Sequence, residues 1–234
     1  MIGFDRLGKN GRFGNQMFQY AALKGIANKN NYDFCMPSGP KTEDDFYDEE
    51  NQHKLFIAFN MENVKEVDNF SSPYMNESSF TFDNKLFENC KDNINLYGFF
   101  QTEKYFKHIE DEIKKDFTFK DNWLESCKEC FGDDEYIGLH IRRTDYVQKQ
   151  SYHPLCTLEY YERALKELPD IPVMIVSDDP EWCKSQKLFE SDRFLVSDTG
   201  SNIVDMCILS LCKYHIVANS SFSWWGAWLA DSKK

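Results

Sequence analysis

The chain reads as an α/β protein built on parallel sheet, and three observations carry that reading. Strand and helix signals alternate from residue 136 to residue 230, the pattern required by a parallel sheet wrapped by helices. The run Val173-Met-Ile-Val-Ser177 is apolar up to its last residue, as in strands buried on both faces. Polar and ionisable residues gather where strand signals stop, at His140 to Asp145, at Asp178 and at Asn219 to Ser221. Ligands of such folds lie beyond the carboxyl ends of the strands, so these groups are expected to face one crevice.

Composition bounds the rest. The chain has 234 residues, of which 41% are hydrophobic and 16% aromatic, enough to build a core for one large or two small domains. The net charge of −12 argues against non-specific binding to nucleic acid or to an anionic membrane. No apolar run approaches the roughly 18–20 residues that span a bilayer. The start Met1-Ile-Gly-Phe-Asp-Arg6 lacks the basic and apolar regions of a signal peptide, so a cytoplasmic location and free thiols at all eight cysteines are expected. Cys127 and Cys130 form a single C-x-x-C, a weak zinc signal without a second pair.

Taken in order, Gly11-Arg-Phe-Gly14 precedes a helical pattern in which Phe18, Ala21, Ala22, Gly25 and Ile26 share a face. A glycine turn that opens a helix offers backbone N–H groups to an anion, and Asn15 and Gln16 add amides in the first turn. The acidic run from Glu43 to Glu50 reads as a solvated loop or helix face. Phe80-Thr-Phe82 is a possible short strand and Asn95 to Phe100 a clearer one. Thr102 is expected to cap a helix reaching about Phe117, with Phe106, Ile109 and Ile113 inward.

The polar stretch 118–134 marks the junction between an N-terminal half, residues 1–120, and a C-terminal half, residues 121–234. The second half opens on the strand at 136–141. Thr157 caps a helix to Leu168, and Asp179 with Pro180 starts another after the 173–177 strand. Arg193 to Val196 is a strand, 202–213 a helix apolar nearly all round, and His215 to Ala218 a last strand. The turn Asn219-Ser-Ser221 leads into a helix with Trp224, Trp225 and Trp228, three rings read as packing, and its hydroxyls and N–H groups form a second anion site.

The strand end Leu139-His-Ile-Arg-Arg-Thr-Asp145 concentrates four ionisable groups in six residues. Adjacent arginines on an extended chain point to opposite sides. One is expected to reach toward a ligand while the other pairs with a carboxylate such as Asp145. The planar guanidinium fork suits phosphate because it makes two parallel charge-assisted hydrogen bonds.

Three stretches together, Gly11-Arg-Phe-Gly-Asn-Gln-Met-Phe-Gln-Tyr20, His140-Ile-Arg-Arg-Thr-Asp145 and Asn219-Ser-Ser-Phe-Ser-Trp-Trp-Gly-Ala-Trp228, resemble the α-1,2-fucosyltransferases of glycosyltransferase family 11. The resemblance implies a GT-B-like fold of two Rossmann-like domains facing a cleft, with residues 1–120 on the acceptor side and 121–234 binding GDP-fucose. Similar chains continue past the Trp-Gly-Ala-Trp helix, so a C-terminal domain shortened at its end is expected. The implied reaction is inverting transfer of L-fucose from GDP-fucose to the 2-hydroxyl of a galactose-terminated glycan, with no metal and no other cofactor. By the resemblance, Arg142 grips the diphosphate, and Arg143 and Asp145 orient it or line the cleft. Ser220 and Ser221, with Asn219, meet the diphosphate from the opposite turn, and His140 touches the nucleotide. Asp178 and Asp205 are candidates for guanine or ribose contacts, Asn15 closes the cleft near the fucose, and Asp145 is a candidate general base.

Two other readings stay open at this level. One is a transferase with a different acceptor linkage or a different nucleotide sugar. The other is a relative that binds nucleotide or glycan without turnover.

Overall fold

The computed structural model describes residues 1–48, 51–131 and 134–230. Glu49 and Glu50 of the acidic run, part of the 118–134 stretch and the last four residues lie outside the described residues. The chain divides into two compact units, Met1–Lys120 and Asp121–Lys234, and each carries one four-stranded, all-parallel sheet.

In the first unit the sheet order is β2-β1-β4-β3, with β1 Ile2–Gly3, β2 Phe34–Cys35, β3 Tyr74–Asn76 and β4 Asn95–Tyr97. The expected Phe80–Phe82 strand is absent among the described residues, where the chain instead bends. The neighbouring strand is Tyr74–Asn76, which pairs residue for residue with Asn95–Tyr97. The helix α1, Phe13–Lys29, follows β1 and is buried along most of its surface; its two buried glutamines are tolerated because they are hydrogen-bonded, Gln19 Nε2 donating to the Asn10 and Gly98 carbonyls and Gln16 Oε1 accepting from the Lys54 N–H. Gly25 is needed there because a Cβ would come within 2.1 Å of the Tyr105 carbonyl oxygen. Two one-turn helices, α2 Leu55–Ala58 and α3 Asn84–Glu88, complete the covering.

The single helix expected from Thr102 to Phe117 is three pieces. Thr102 does cap, but it starts a 3-10 turn at Glu103–Tyr105; a second follows at Lys107–Ile109, and α4 runs Glu110–Asp116. The break falls at Phe106, whose backbone leaves the helical region at φ −135° and ψ 4° and whose ring is fully buried. Burying that ring against Phe18, with ring centres 6.3 Å apart, outweighs one more helical turn.

The second unit opens on α5, Asp121–Lys128. The stretch read as a polar junction is therefore partly helix, with Trp123 and Cys127 buried. The sheet order is β7-β6-β5-β8, with β5 Ile137–Ile141, β6 Val173–Ser177, β7 Phe194–Val196 and β8 Tyr214–Ile216. Every residue of β5 is buried, as an interior parallel strand demands. Ile137, Leu139, Ile141, Val173, Ile175 and Ile216 form a core with Tyr161 and Leu165 of α7, Leu158–Lys166.

Short α6, Thr144–Gln148, follows β5, and α8, Pro180–Lys184, follows β6 with Pro180 in its first turn. The helices α9, Asn202–Leu211, and α10, Ser221–Leu229, pack on each other. Gly226 makes that approach possible, since a Cβ there would meet the Leu209 Cβ at 2.6 Å. The Trp-Gly-Ala-Trp sequence is thus a packing surface: Trp225 is fully buried, and Trp224 and Trp228 stack with centres 6.1 Å apart. Among the described residues no helix is long and apolar enough to cross a membrane.

Candidate active site

The parallel register assembles the site of the second unit. Ile141 of β5 lies opposite Ser177 of β6, so the residues one step beyond each, Arg142 and Asp178, emerge side by side at the carboxyl ends. Arg142 Nη1 meets Asp178 Oδ2 at 3.0 Å, and Arg142 Nη2 donates to Asp145 Oδ1 at 2.5 Å. Asp178 is the hub: its Oδ1 also accepts from the Arg143 backbone N–H at 2.8 Å, and its Oδ2 accepts from the Thr144 hydroxyl. Of the two carboxylates on Arg142, Asp145 is the more exposed, at 34% against 19% for Asp178, while Arg142 itself is 16% exposed.

Arg143 points elsewhere, as alternation along the strand predicts, but its partner differs from the expected one. Its Nε donates to Asp179 Oδ2 at 3.1 Å and its guanidinium lies 3.8 Å over the Trp182 ring. Asp145 pairs with Arg142 instead because α6 begins directly after Arg143, which places residues 142 and 145 one helical turn apart. Asp179 also accepts from the Trp182 N–H at 3.3 Å, so one carboxylate both caps α8 and holds Arg143. Among Arg142, Arg143, Asp145, Asp178 and Asp179 the acids exceed the bases by one charge.

His140 lies beneath this cluster and is 4% exposed, with its ring 5.3 Å from that of Phe222. Burial pushes its pKa down to about 4; nearby Asp178 works against that shift and Arg142 with it. The ring is therefore neutral near pH 7. Its Nδ1 is buried with no hydrogen-bond partner among the described residues.

On the far side of β5, the chain leaving β8 turns into α10. Ser220 is the N-cap, its hydroxyl accepting from the Phe222 N–H at 3.3 Å, and Ser221 is the first helical residue. The Asn219 carbonyl accepts from the Tyr146 hydroxyl at 2.8 Å. Asp205 stands at the end of β7, in the first turn of α9. It accepts from the Ser197 and Thr199 hydroxyls at 2.6 and 3.1 Å. Burial raises its carboxyl pKa, against the lowering effect of those two hydroxyls.

Arg142, Arg143, Asp145 and Asp178 are thus brought into one network with His140 buried beside it, and Asn219 is tied to it through Tyr146, whose ring lies 5.5 Å from the Arg142 guanidinium. Asp205 sits at a separate strand end with its own partners. Asn15 belongs to the first unit, where its Oδ1 accepts from Gln101 Nε2 at 2.7 Å. Gln16 does not share its direction: it is buried, accepting from the Lys54 N–H at 3.0 Å. No side chain caps the start of α1 at Arg12, and Gly11 adopts φ +95° with Asn15 packed where a Cβ would stand.

Residue-by-residue reading missed Thr144, Tyr146 and Trp182. The spacing of Arg142 and Tyr146, four residues apart across a helix start, was the available signal for one of them. Among the described residues, no group of three or more His, Cys, Asp or Glu is placed to hold a metal ion.

A sequence model of glycosyl transferase family 11 matches residues 4–234. The alpha-1,2-colitosyltransferase of Escherichia coli is 29% identical over 248 residues, covering 94% of this chain and 86% of that protein. The human galactoside alpha-(1,2)-fucosyltransferase 1 is 25% identical over 243 residues, and the match takes in 94% of this chain but 64% of the human one. Among solved structures, POFUT1 in complex with GDP superposes with a TM-score of 0.64 at 12% identity, covering 100% of this chain and 95% of that one. That likeness is one of fold: two units on parallel sheets, GT-B-like in make-up.

Proposed function

The chain belongs to glycosyl transferase family 11, and from that premise we propose that it transfers L-fucose from GDP-fucose to the 2-hydroxyl of a galactoside, with inversion and without a metal. The observation that carries this reading is Arg142, fixed at the carboxyl end of β5 by Asp145 and Asp178. Loss of GDP concentrates negative charge on the β-phosphate as the glycosidic bond breaks. A guanidinium held at that oxygen stabilises the transition state more than the ground state.

In this reading Arg142 takes the β-phosphate and the N–H groups opening α10, with the Ser220 and Ser221 hydroxyls, meet the diphosphate from the other turn. Asp178 holds Arg142 and the Arg143 backbone in place. Neutral His140 lies under the nucleotide and brings no competing positive charge. Asp145, the more exposed partner of Arg142, is the candidate general base for the acceptor hydroxyl once phosphate has replaced it. Asp205 is the candidate ribose or guanine contact, and Asn15 is the candidate contact to the transferred sugar. The α-1,2 linkage and the galactoside acceptor draw support from the names of the curated relatives.

One observation favours a second donor: the Escherichia coli relative is named a colitosyltransferase, and colitose is a fucose lacking its 3-hydroxyl. The test is a donor panel with one galactoside acceptor, with linkage analysis of the product. GDP-fucose turning over faster than GDP-colitose and UDP-sugars, in EDTA as well as without it, is the expected result. Activity lost to EDTA and restored by magnesium or manganese refutes the metal-free mechanism, and preference for a UDP-sugar refutes the donor.

A further inference from the structure

We infer that Tyr146 is a positioning residue that sets the spacing between Arg142 and the opening turn of α10. This rests on the reading above, in which those two features hold one diphosphate from opposite sides. The β5–β8 ladder ends early: its last pair is Leu139 with Ile216, whereas β5 continues on its other side to Ile141 opposite Ser177. The segment 217–220 therefore leaves the sheet before it reaches the level of Arg142, and strand pairing does not fix its distance from the arginine.

Two tyrosine hydroxyls take over from the ladder. Tyr160 of α7 donates to the Val217 carbonyl at 2.8 Å, and Tyr146 of α6 donates to the Asn219 carbonyl at 2.8 Å. The carbonyl between them, that of Ala218, accepts from the Ser220 N–H and the Ser223 hydroxyl, so it ties the segment only to its own helix. The two tyrosines differ in one respect. The Tyr146 ring also lies 5.5 Å from the Arg142 guanidinium and stacks on His153, with centres 4.6 Å apart and planes 14° apart. Tyr146 thus touches Arg142 with its ring and the α10 turn with its hydroxyl, while its stacked neighbour restrains the ring. A rigid two-torsion side chain spanning both anion-holding groups keeps them at one separation, and a displacement on the order of 1 Å in such a site costs as much as 10²-fold in rate.

Tyr160 provides the internal control, since Tyr160→Phe removes a hydroxyl bond of equal length from the same segment without touching Arg142. The experiment measures GDP binding by calorimetry, and donor and acceptor kinetics below the melting temperature of every variant. Wild type, Tyr146→Phe, Tyr160→Phe, and each tyrosine variant combined with Arg142→Lys are compared. Tyr146→Phe is expected to weaken GDP binding about 3- to 10-fold and to lower turnover, with the acceptor KM unchanged. Tyr160→Phe is expected to change both by less than about twofold. The Tyr146→Phe loss should shrink when Arg142 is already lysine, while the Tyr160→Phe effect should multiply independently.

Equal effects from the two tyrosine variants, or additivity of Tyr146→Phe with Arg142→Lys, overturn the positioning role while leaving the donor assignment standing. Failure of the wild-type protein to bind GDP overturns the donor assignment and the inference built on it.

Discussion

Replacing Asp145 with asparagine should tighten GDP binding while slowing turnover, and the opposed signs are what make the experiment informative. In the structure Arg142 is occupied: Asp145 holds one guanidinium nitrogen at 2.5 Å and Asp178 another at 3.0 Å. Each carboxylate uses one of the five guanidinium N–H groups, and a diphosphate that comes bidentately to the edge they share displaces one of them. Asp178 is fixed by two further hydrogen bonds, from the Arg143 N–H and the Thr144 hydroxyl, and is only 19% exposed. Asp145 is 34% exposed on a five-residue helix, so it is the one to leave. Breaking a pair this exposed costs up to about 1 kcal/mol. Removing one of three carboxylates from a cluster with an excess negative charge relieves a few tenths more of repulsion toward the incoming phosphates. Together these come to about 1.4 kcal/mol, or roughly tenfold in Kd. Calorimetric titration of GDP into wild type and Asp145→Asn at one fixed ionic strength reads this directly. Weaker binding by Asp145→Asn would show that Asp145 orients Arg142 for the phosphate and does not compete with it.

The other expectations concern the same cluster and its surroundings. Arg142→Lys keeps the charge but loses the fork, so kcat should fall by on the order of 10²-fold. Because Arg142 is only 16% exposed and bridges two carboxylates, the melting temperature should also fall by a few degrees, and an unchanged kcat would remove Arg142 from the mechanism. Below neutral pH the fold should weaken through His140 and His53, both held neutral by burial with pKa values lowered to about 4. Their unfolded forms take protons near 6.5, so stability is full above that pH and declines toward 4, by up to about 1.4 kcal/mol per pH unit for each histidine. Thermal melts that stay flat from pH 7 to 5 would contradict this. Asp44→Asn with Asp45→Asn, two exposed acids in the first unit, should leave turnover within about tenfold, that is within roughly 1.4 kcal/mol of transition-state stabilisation; a larger loss in steady-state kinetics would make that loop part of substrate handling.

Much of the second unit was legible because its signals are local and redundant. Val173 to Ser177 has no polar residue before its end, and Asp179-Pro180 marks a helix start by two separate mechanisms, a cap and a fixed φ. The first unit was less legible because long-range burial decides it. Nothing near Phe106 in the sequence signals that its ring will be worth more in the core than its backbone in a helix. Phe34-Cys35 is a strand of two residues, defined only by what it pairs with. The site divides the same way. An arginine pair at a strand end was readable, and so was the turn at Asn219. Which carboxylate each arginine takes was not, because it depends on the β5–β6 register and on where α6 begins. Asp178 could be seen as polar and strand-terminal, but its role as the hub needs the position of a residue 35 away in sequence.

That separation has a consequence for how the protein acquires its activity. Parallel pairing of β5 with β6 closes a long crossover through α6 and α7, the kind of contact that forms late and slowly because chain entropy must be surrendered before it is repaid. Arg142 meets Asp178 only when Ile141 has found Ser177; a register one residue off would turn the strand's side chains to the wrong faces and separate the two. During refolding from denaturant, helix formation can therefore run ahead of the Arg142–Asp178 contact, but that contact cannot run ahead of the sheet. If the proposed donor site is right, GDP affinity during refolding should appear only with the β5–β6 pairing, after the helical signal.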